Sequence, residues 1–524
     1  MNEADPVRLE VFRNLFAAVA EEMGVALRRS SYSPNIKERC DFSCAVFDAD
    51  GEMIAQAAHI PVHLGSMPLS VRAAIDAVSF EPGDAVILND PYAGGTHLPD
   101  ITLVSPVFDA CDRRVFLVAN RAHHSDVGGM APGSLGIATD IIQEGVRIPP
   151  LKLVRAGQID ESLLGLVLAN VRTPDERRGD LAAQLAANRI GERRLHEMLA
   201  QHPDEALRYA PELLNYAERL TRRVLRGIPD GEYAFEDCLD DDGIGREPVR
   251  VAVVVRVRGD EATFDFGGSA PQTPGPVNAV FAVTLSCVSY VLHALAGGRV
   301  PPNSGCLRPV RVVAPAGSVV NAAFPAAVAA GNVETSQRIV DVVLGALAQA
   351  LPDRVPAASC GTMTNVAVGG VDPRMGEAFT YYETIAGGMG GRPDSDGLDG
   401  VHCHMTNTLN TPIEALELAY PLRVTRYAIR DHSGGEGRHR GGHGLRRDLL
   451  ALAEARASII ADRHRRPPYG LRGGRPGQPG QALLIRDGEE RRLPSKCQIE
   501  LRPGDVLSLR TPGGGGWGEP DAAA

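Results

Sequence analysis

Aspartate and histidine side chains cluster directly after a short apolar run at residues 85–88. The stretch that follows, NDPYAGGTHLPDIT, contains Asp90, His97 and Asp100. Asn, Asp, Pro and Gly are common in turns, so most of this stretch requires only a turn. Imidazole nitrogens and carboxylate oxygens close together are also what a divalent metal needs. The stretch is therefore either a turn or part of a metal site.

Two further stretches place the same residue types beside predicted strands. NRAHHSDVGG follows the apolar run 115–119 and contains His123, His124 and Asp126, while IKERCDFS places Asp41 at the mouth of a hairpin. Loops at strand ends can converge on one point. Two histidines with two carboxylates would suit Mn, Zn or Fe better than Mg or Ca. Spacing alone leaves both possibilities open, a metal site and ordinary hydrogen-bonded loop residues.

Helices and strands in separated blocks must position these residues. The apolar spacing predicts a helix over residues 6–28 with Asp5 as its cap, then a hairpin in FSCAVFDADGEMIAQ and strands in DAVIL, ITLVSPVF and RRVFLVAN. Two long charged helices are predicted within 172–227, joined at residues 201–203. Strands follow, then helices in VNAVFAVTLSCVSYVLHAL and from Glu334 onward. This order favours an α+β fold over a regular βαβ alternation.

The length of 524 residues exceeds what one hydrophobic core supports and predicts several domains. We predict a multi-domain mixed helix and sheet protein with a small β-rich C-terminal domain. The predicted parts are a metal-site α+β region at 1–170, a helical segment at 171–230, an α+β region with glycine-rich loops at 231–445, and the β-rich domain at 446–524.

Composition excludes several functional classes. Apolar residues make up 44% and charged residues 23%, which is typical of a globular protein, and a net charge of −11 argues against nucleic acid as a partner. No apolar run approaches the roughly 20 residues of a transmembrane helix. Nine cysteines without CxxC spacing and an N-terminus without a secretory signal predict reduced thiols and a cytoplasmic location. The phosphate-loop pattern GxxxxGK[ST] is absent, so we expect no ATP site of that type.

Two late segments lack the apolar periodicity of core helices. They are the glycine-rich ETIAGGMGGRPDSDG, with Gly388 and Gly390, and HMTNTLNTP, which begins at His404. His402 and His404 could share one face of an extended segment. Small and polar residues suit a passage or a pocket near a subunit interface, while ordinary surface turns and backbone packing are the alternative.

Six ordered motifs resemble those of the hydantoinase B/oxoprolinase family. They are YSPNIKERCDFSCAVFD, NDPYAGGTHLPDITLVSPVF, NRAHHSDVGGMAPGS, GNVETSQRIVD, YYETIAGGMGGR and HMTNTLNTPIEALE. The resemblance extends from the first helix to the terminal TPGGGGWG and so covers nearly the whole chain. One departure is Cys40, where the family often carries arginine.

The resemblance implies a metal bound by Asp41, His97, Asp100 and His123, with Mn or Zn, or else Fe, as the ion. His124 and Asp126 are the expected proton-transfer residues. It also implies an ATP-binding subunit of the hydantoinase A type, and hence a hetero-oligomer whose partner uses ATP to phosphorylate a cyclic amide. This chain would then complete hydrolysis of the hydantoin, oxoproline or lactam ring. An acetone carboxylase-like subunit and a non-catalytic partner of the ATP-binding subunit are the alternatives.

Overall fold

The computed structural model describes residues 5–57 and 60–520 of the chain. It contains several sheets with helices packed against them, which confirms the predicted α+β, multi-domain class. The first four residues, on which the predicted lack of a secretory signal partly rests, lie outside the described residues. The helices are α1 Pro6–Ser30, α2 Pro34–Lys37, α3 Ser66–Ala77, α4 Glu161–Leu168, α5 Pro174–Gln201, α6 Pro203–Leu225, α7 Phe281–Ala296, α8 Ser336–Ala350 and α9 Ile413–Ala419.

The first helix begins where the sequence predicts. The side chain of Asp5 accepts a hydrogen bond from the backbone N–H of Val7, and proline occupies the first turn. Phe12 and Phe16 of α1 are fully buried, and Phe16 packs edge-on against Phe116 of the first sheet. Helices α5 and α6 complete this layer, with their junction at His202 as predicted.

A seven-stranded antiparallel sheet carries all three of the stretches rich in His and Asp. Its spatial order is β2-β1-β5-β4-β3-β6-β7. The strands β4 and β5 pair along their whole length, and β1 lies on the other side of β5. The strands are β1 Phe42–Asp48, β2 Met53–Gln56, β3 Ala85–Leu88, β4 Asp100–Phe108, β5 Arg114–His123, β6 Leu151–Arg155 and β7 Gln158–Ile159.

Three smaller sheets follow the first one along the described chain. The second has the order β11-β10-β9-β8, the third β13-β12-β16-β19 and the fourth β14-β15-β20-β17-β18. Their strands are β8 Gly231–Leu239, β9 Val249–Arg258, β10 Glu261–Asp265, β11 Val310–Val313, β12 Asn365–Asp372, β13 Glu377–Thr384, β14 Leu422–Arg430, β15 Gly444–Ala451, β16 Ala455–Ile460, β17 Gln481–Arg486, β18 Glu489–Leu493, β19 Lys496–Leu501 and β20 Val506–Arg510.

The C-terminal sheets draw strands from both sides of residue 446. In the third sheet β12 pairs with β16, and in the fourth β14 pairs with β15. The C-terminal part is rich in strands, as expected, but its sheets include residues from about 365 onward. The four predicted domain ranges stay predictions.

Glycine-rich loops pack backbone against backbone beside the last two sheets. A Cβ atom added at Gly388 would lie 2.0 Å from the carbonyl oxygen of Gly442, and one at Gly390 would lie 1.9 Å from that of Ala357. The backbone N–H of Gly442 donates to the carbonyl of Met389 at 2.7 Å. These two glycines therefore serve close backbone packing, the alternative that the sequence left open.

Among the described residues, we find no helix that combines the length and the apolarity needed to cross a bilayer.

Candidate metal centre

The ends of three neighbouring strands bring the predicted ligands together. Asp100 begins β4 and pairs in register with His123, the last residue of β5. Asp41 immediately precedes β1, and its carbonyl accepts a hydrogen bond from the backbone N–H of His123 at 3.0 Å. His97 lies one turn before Asp100, whose N–H donates to the His97 carbonyl at 3.1 Å. The turn and the strand pairing together fix the relative positions of these residues.

Three of the predicted ligands point at one another. Nε2 of His97 lies 3.2 Å from Nδ1 of His123, and each of these nitrogens is 3.4 Å from Oδ1 of Asp100. Ligand atoms about 2.1 Å from a tetrahedral ion are about 3.4 Å apart, so this spacing fits a first-row metal. Within the described ranges, this is the one group of three or more His, Cys, Asp or Glu side chains whose ligand atoms all lie within 4.8 Å of one another.

Asp41 lies beside this triad but outside its closest contacts. Its side chain lines the same small cavity as His97, Asp100 and His123. The guanidinium of Arg39, which is fully buried, lies 3.8 Å from Oδ2 of Asp41. Asp41 thus lines the cavity without belonging to the group whose ligand atoms lie within 4.8 Å of one another.

Hydrogen bonds orient the triad. Nδ1 of His97 lies 3.4 Å from the carbonyl oxygen of Ala329, which leaves Nε2 to face the other ligands. The loop that carries this carbonyl is itself held by Glu144, whose carboxylate accepts the N–H groups of Val328 and Ala329 at 2.8 and 2.9 Å. The ring of Tyr382 stacks on His123 with 4.5 Å between centroids and 13° between planes.

Asp100 has two partners that the sequence analysis missed. Nε2 of His63 lies 3.4 Å from Oδ2 of Asp100, while Nδ1 of His63 is 2.8 Å from the hydroxyl of Ser43. The hydroxyl of Thr96 donates to the same carboxylate oxygen. His63 is an isolated histidine after a short strand, and nothing in its spacing distinguishes it from a surface histidine.

Burial and charge set the protonation of the site. Burial lowers the pKa of His63 and of His123, which favours the neutral imidazole that binds a metal. Burial alone would raise the pKa of Asp100, but attraction to His97 and hydrogen bonds from His123 and His63 lower it well below the usual range. Burial thus favours neutral imidazoles at His63 and His123, beside a carboxylate of Asp100 that is held ionised.

The two predicted proton-transfer residues lie elsewhere. His124 follows His123 directly, so its side chain points away from the cavity, and its Nε2 lies 2.9 Å from Oε1 of Gln184 on α5. Burial lowers the pKa of His124 to about 4. Asp126 is fully buried and accepts from the N–H and the guanidinium of Arg172 at 2.9 and 2.7 Å. Neither residue lines the metal cavity, and their proton-transfer role stays a prediction.

Asn332 is a further polar residue of the cavity that the sequence analysis did not single out. It lies in a single π-helical turn, Gly331–Thr335, which precedes α8. Its side chain is 4% exposed, lines the cavity and leaves Oδ1 without a hydrogen-bond partner in the described part of the chain. π-Helical turns are frequent at functional sites. The motif GNVET therefore forms a π-helical turn that places a polar side chain in the cavity wall, which spacing in the sequence does not predict.

Buried imidazoles and a carboxylate at adjoining strand ends define a candidate metal-dependent enzyme. The family model for hydantoinase B/oxoprolinase matches residues 5–520. The chain therefore belongs to this family, which confirms the predicted membership and the prediction of an enzyme of that type.

Named relatives align with almost the whole chain. A putative subunit of a D-/L-hydantoinase from Pseudomonas sp. (strain NS671) is 35% identical over 99% of this chain and 91% of its own length. The 5-oxoprolinase 1 of Arabidopsis thaliana is 38% identical over 99% of this chain. The chain spans 42% of that oxoprolinase, so it is similar to less than half of the plant enzyme.

Two solved structures share the fold. A chain of the ATP-dependent caprolactamase from Pseudomonas jessenii has a TM-score of 0.91 and 32% identity, covering 99% of this chain and 92% of that one. A chain of nucleotide-free acetone carboxylase also has a TM-score of 0.91, with 18% identity over 99% of this chain and 76% of that one. The second similarity concerns the fold alone.

Proposed function

We propose that the chain is the metal-containing subunit of an ATP-dependent cyclic amidohydrolase. It would complete the hydrolysis of a phosphorylated hydantoin, oxoproline or lactam ring. The observation that carries the proposal is the buried group of His97, Asp100 and His123, whose ligand atoms lie 3.2 to 3.4 Å apart. The names of its relatives as hydantoinase, oxoprolinase and caprolactamase support the ring amide as the substrate class.

His97, Asp100 and His123 would hold the ion, with Asp41 completing the set. The divalent ion, Mn, Zn or Fe, would supply an acidified water near neutral pH and a positive charge for developing oxyanions. His63 and Thr96 hold Asp100 in place, and Tyr382 holds the plane of the His123 ring. The carbonyl of Ala329 fixes the His97 tautomer, so that Nε2 remains available. The chain's own residues thus contribute orientation and charge.

ATP would come to the reaction through a hydantoinase A-type partner subunit. The sequence has no GxxxxGK[ST] loop, and the relative from Pseudomonas sp. is itself named as a subunit. Phosphorylating the amide oxygen creates a carbon with a good leaving group, which overcomes the poor reactivity of an amide. The active enzyme would therefore be a hetero-oligomer of this chain and the ATP-binding subunit.

Co-expression with the ATP-binding subunit tests this function. Purified complex would be given ATP with hydantoins, oxoproline, lactams or ketones plus bicarbonate, and ADP and product would be measured. We expect ring opening that depends on both subunits and on ATP. Carboxylated ketone without ring opening would identify the carboxylase alternative, and ring opening by the partner alone would make this chain a non-catalytic subunit.

A further inference from the structure

The metal cavity is too small for a ring. Its volume is about 20 Å³, which is room for about one water molecule. Cavities that bind small organic molecules are usually about 300 to 1,000 Å³. A cyclic amide of five to seven ring atoms must therefore be bound mainly outside the space that the ligands enclose.

A second cavity, which we call the large cavity, has a volume of about 710 Å³. Its wall comes from the end of α7, from α8 and from the loops after α8 and β13. Apolar side chains such as Leu295, Leu344 and Met389 provide surface for ring methylenes, and polar groups lie among them. Volume and wall chemistry both suit a small, partly apolar ring.

One short segment contributes residues to both cavities. His402, Cys403 and His404 line the large cavity, whereas Met405 and Thr406 line the metal cavity. His404 has a φ of 59°, a left-handed backbone conformation that is uncommon for a residue other than glycine. The two cavities therefore share a continuous segment of chain, and this segment includes a strained position.

Two imidazole nitrogens in this segment are enclosed by the protein and would become accessible to a ligand when the segment moves. Nε2 of His402 and Nε2 of His404 are buried without a hydrogen-bond partner among the described residues. The Nδ1 atom of His404 is 3.3 Å from the hydroxyl of Tyr290, which fixes the ring, and Oδ1 of Asp341 lies 3.9 Å from Nε2. An amide or a phosphorylated amide would offer both donors and acceptors to such imidazoles.

We propose that the large cavity binds the ring of the cyclic amide, with the amide carbon towards residues 402–406. This assignment rests on the proposed function. Because the metal cavity cannot hold the ring, this assignment includes a movement of residues 404–406 that joins the two cavities before reaction. The glycine-rich segment contributes to this site through Met389, Arg392 and Asp394, while Gly388 and Gly390 support the backbone behind them.

Filling the large cavity tests the assignment. Ala294 is an exposed alanine at the cavity wall in the last turn of α7, so Ala294→Trp adds bulk without overpacking a core. Asp394→Trp adds bulk to the same cavity from a different segment of the chain. Ala200→Trp is the matched control, because Ala200 lies in the last turn of α5, away from both cavities. Circular dichroism, metal content and co-elution with the partner would be compared first.

The readout is the ratio of phosphate released to ring opened by the complex. In the wild type and in Ala200→Trp we expect a ratio near one. In Ala294→Trp and Asp394→Trp we expect ATP to be consumed while ring opening falls. The ratio of phosphate to opened ring should then rise at least fivefold, and the metal content should stay normal. An unchanged ratio in both variants overturns the assignment alone. Absence of ring opening by the wild-type complex overturns the proposed function and this assignment with it.

Discussion

The metal cavity and the large cavity are built in different ways. The metal cavity takes its candidate ligands from strand ends between Asp41 and His123, and side-chain contacts orient His97 and Asp100. The large cavity takes its wall from segments between Tyr290 and His404 and leaves imidazole nitrogens unpaired among the described residues. The first region thus holds a compact set of candidate ligands, and the second has the space for a small molecule.

Under the proposed function, this difference separates the site of chemistry from the site of substrate recognition. Antiparallel pairing of β4 with β5 forces Asp100 and His123 together, so the ion site depends on one sheet. The wall of the large cavity includes exposed positions such as Ala294 and Asp394, where side chains can vary without disturbing the closely packed glycines. Substitutions in the first region should remove the reaction, while those in the second should alter which ring is used.

The largest expected effect is loss of the reaction in His97→Ala. Without Nε2 of His97 the ion is bound poorly, and ring opening by the complex should fall by about 10³-fold, because a catalytic metal supplies several kcal/mol. Assays of ring opening under saturating ATP measure this. The control is His196→Ala, an exposed histidine on α5. Equal ring-opening activity of His97→Ala and His196→Ala would show that His97 is not a metal ligand needed for the reaction.

Replacing Gly388 by leucine should reduce stability rather than alter the cavity. The new side chain would meet the Gly442 carbonyl, which its Cβ would approach to 2.0 Å, and overpacking of this kind costs about 3 kcal/mol or more. Thermal melting measures the loss. The matched variant is Met389→Ala, at the next residue, which lines the large cavity and should melt close to the wild type. A normal melting temperature for Gly388→Leu would contradict the packing described here.

His63→Ala should weaken metal binding without abolishing it. The imidazole holds Oδ2 of Asp100, and removal of such a supporting partner typically costs about 10- to 100-fold in metal affinity. Competition with a chelator measures the affinity. A loss as complete as that of His97→Ala would instead make His63 a ligand, while no loss would make its contact with Asp100 irrelevant to binding.

The smallest expected effect is a pH-dependent gain of stability in Glu144→Gln. Burial raises the pKa of Glu144 to about 8, whereas an exposed glutamate has a pKa of about 4.3. The folded state therefore retains a proton that the unfolded state releases, so wild-type stability falls as the pH rises from about 4.3 to 8. Glutamine has no proton to release. The melting temperature of the variant relative to the wild type should rise by a few degrees between pH 5 and pH 8.

An exposed position provides the control for this pH dependence. Glu489→Gln, on β18, should follow the wild type at every pH. A Glu144→Gln variant whose difference from the wild type stays constant with pH would mean that Glu144 is ionised in the folded protein.

The sequence predicted the elements more fully than the site. Apolar periodicity located α1, α5 and α6, and the family motifs marked Asp41, His97, Asp100 and His123. Periodicity cannot show which of two consecutive residues faces a cavity. The sequence alone therefore places both His123 and His124 in the site, although the side chain of His124 contacts α5. The same holds for Asp126, because its ion pair with Arg172 depends on a turn far along the chain. His63 and Asn332 approach the site through tertiary packing, which spacing does not encode.

The metal centre at the strand ends can be tested by comparing metal binding in variants of two consecutive histidines. Chelator-stripped wild type, His123→Ala and His124→Asn would each be titrated with Mn²⁺ and with Zn²⁺ in a calorimeter, after circular dichroism has shown that the variants are folded. Because Nδ1 of His123 faces His97 while His124 faces Gln184, we predict one ion per chain in the wild type and in His124→Asn, and none at comparable affinity in His123→Ala. Unchanged binding in His123→Ala would contradict a metal centre at these strand ends.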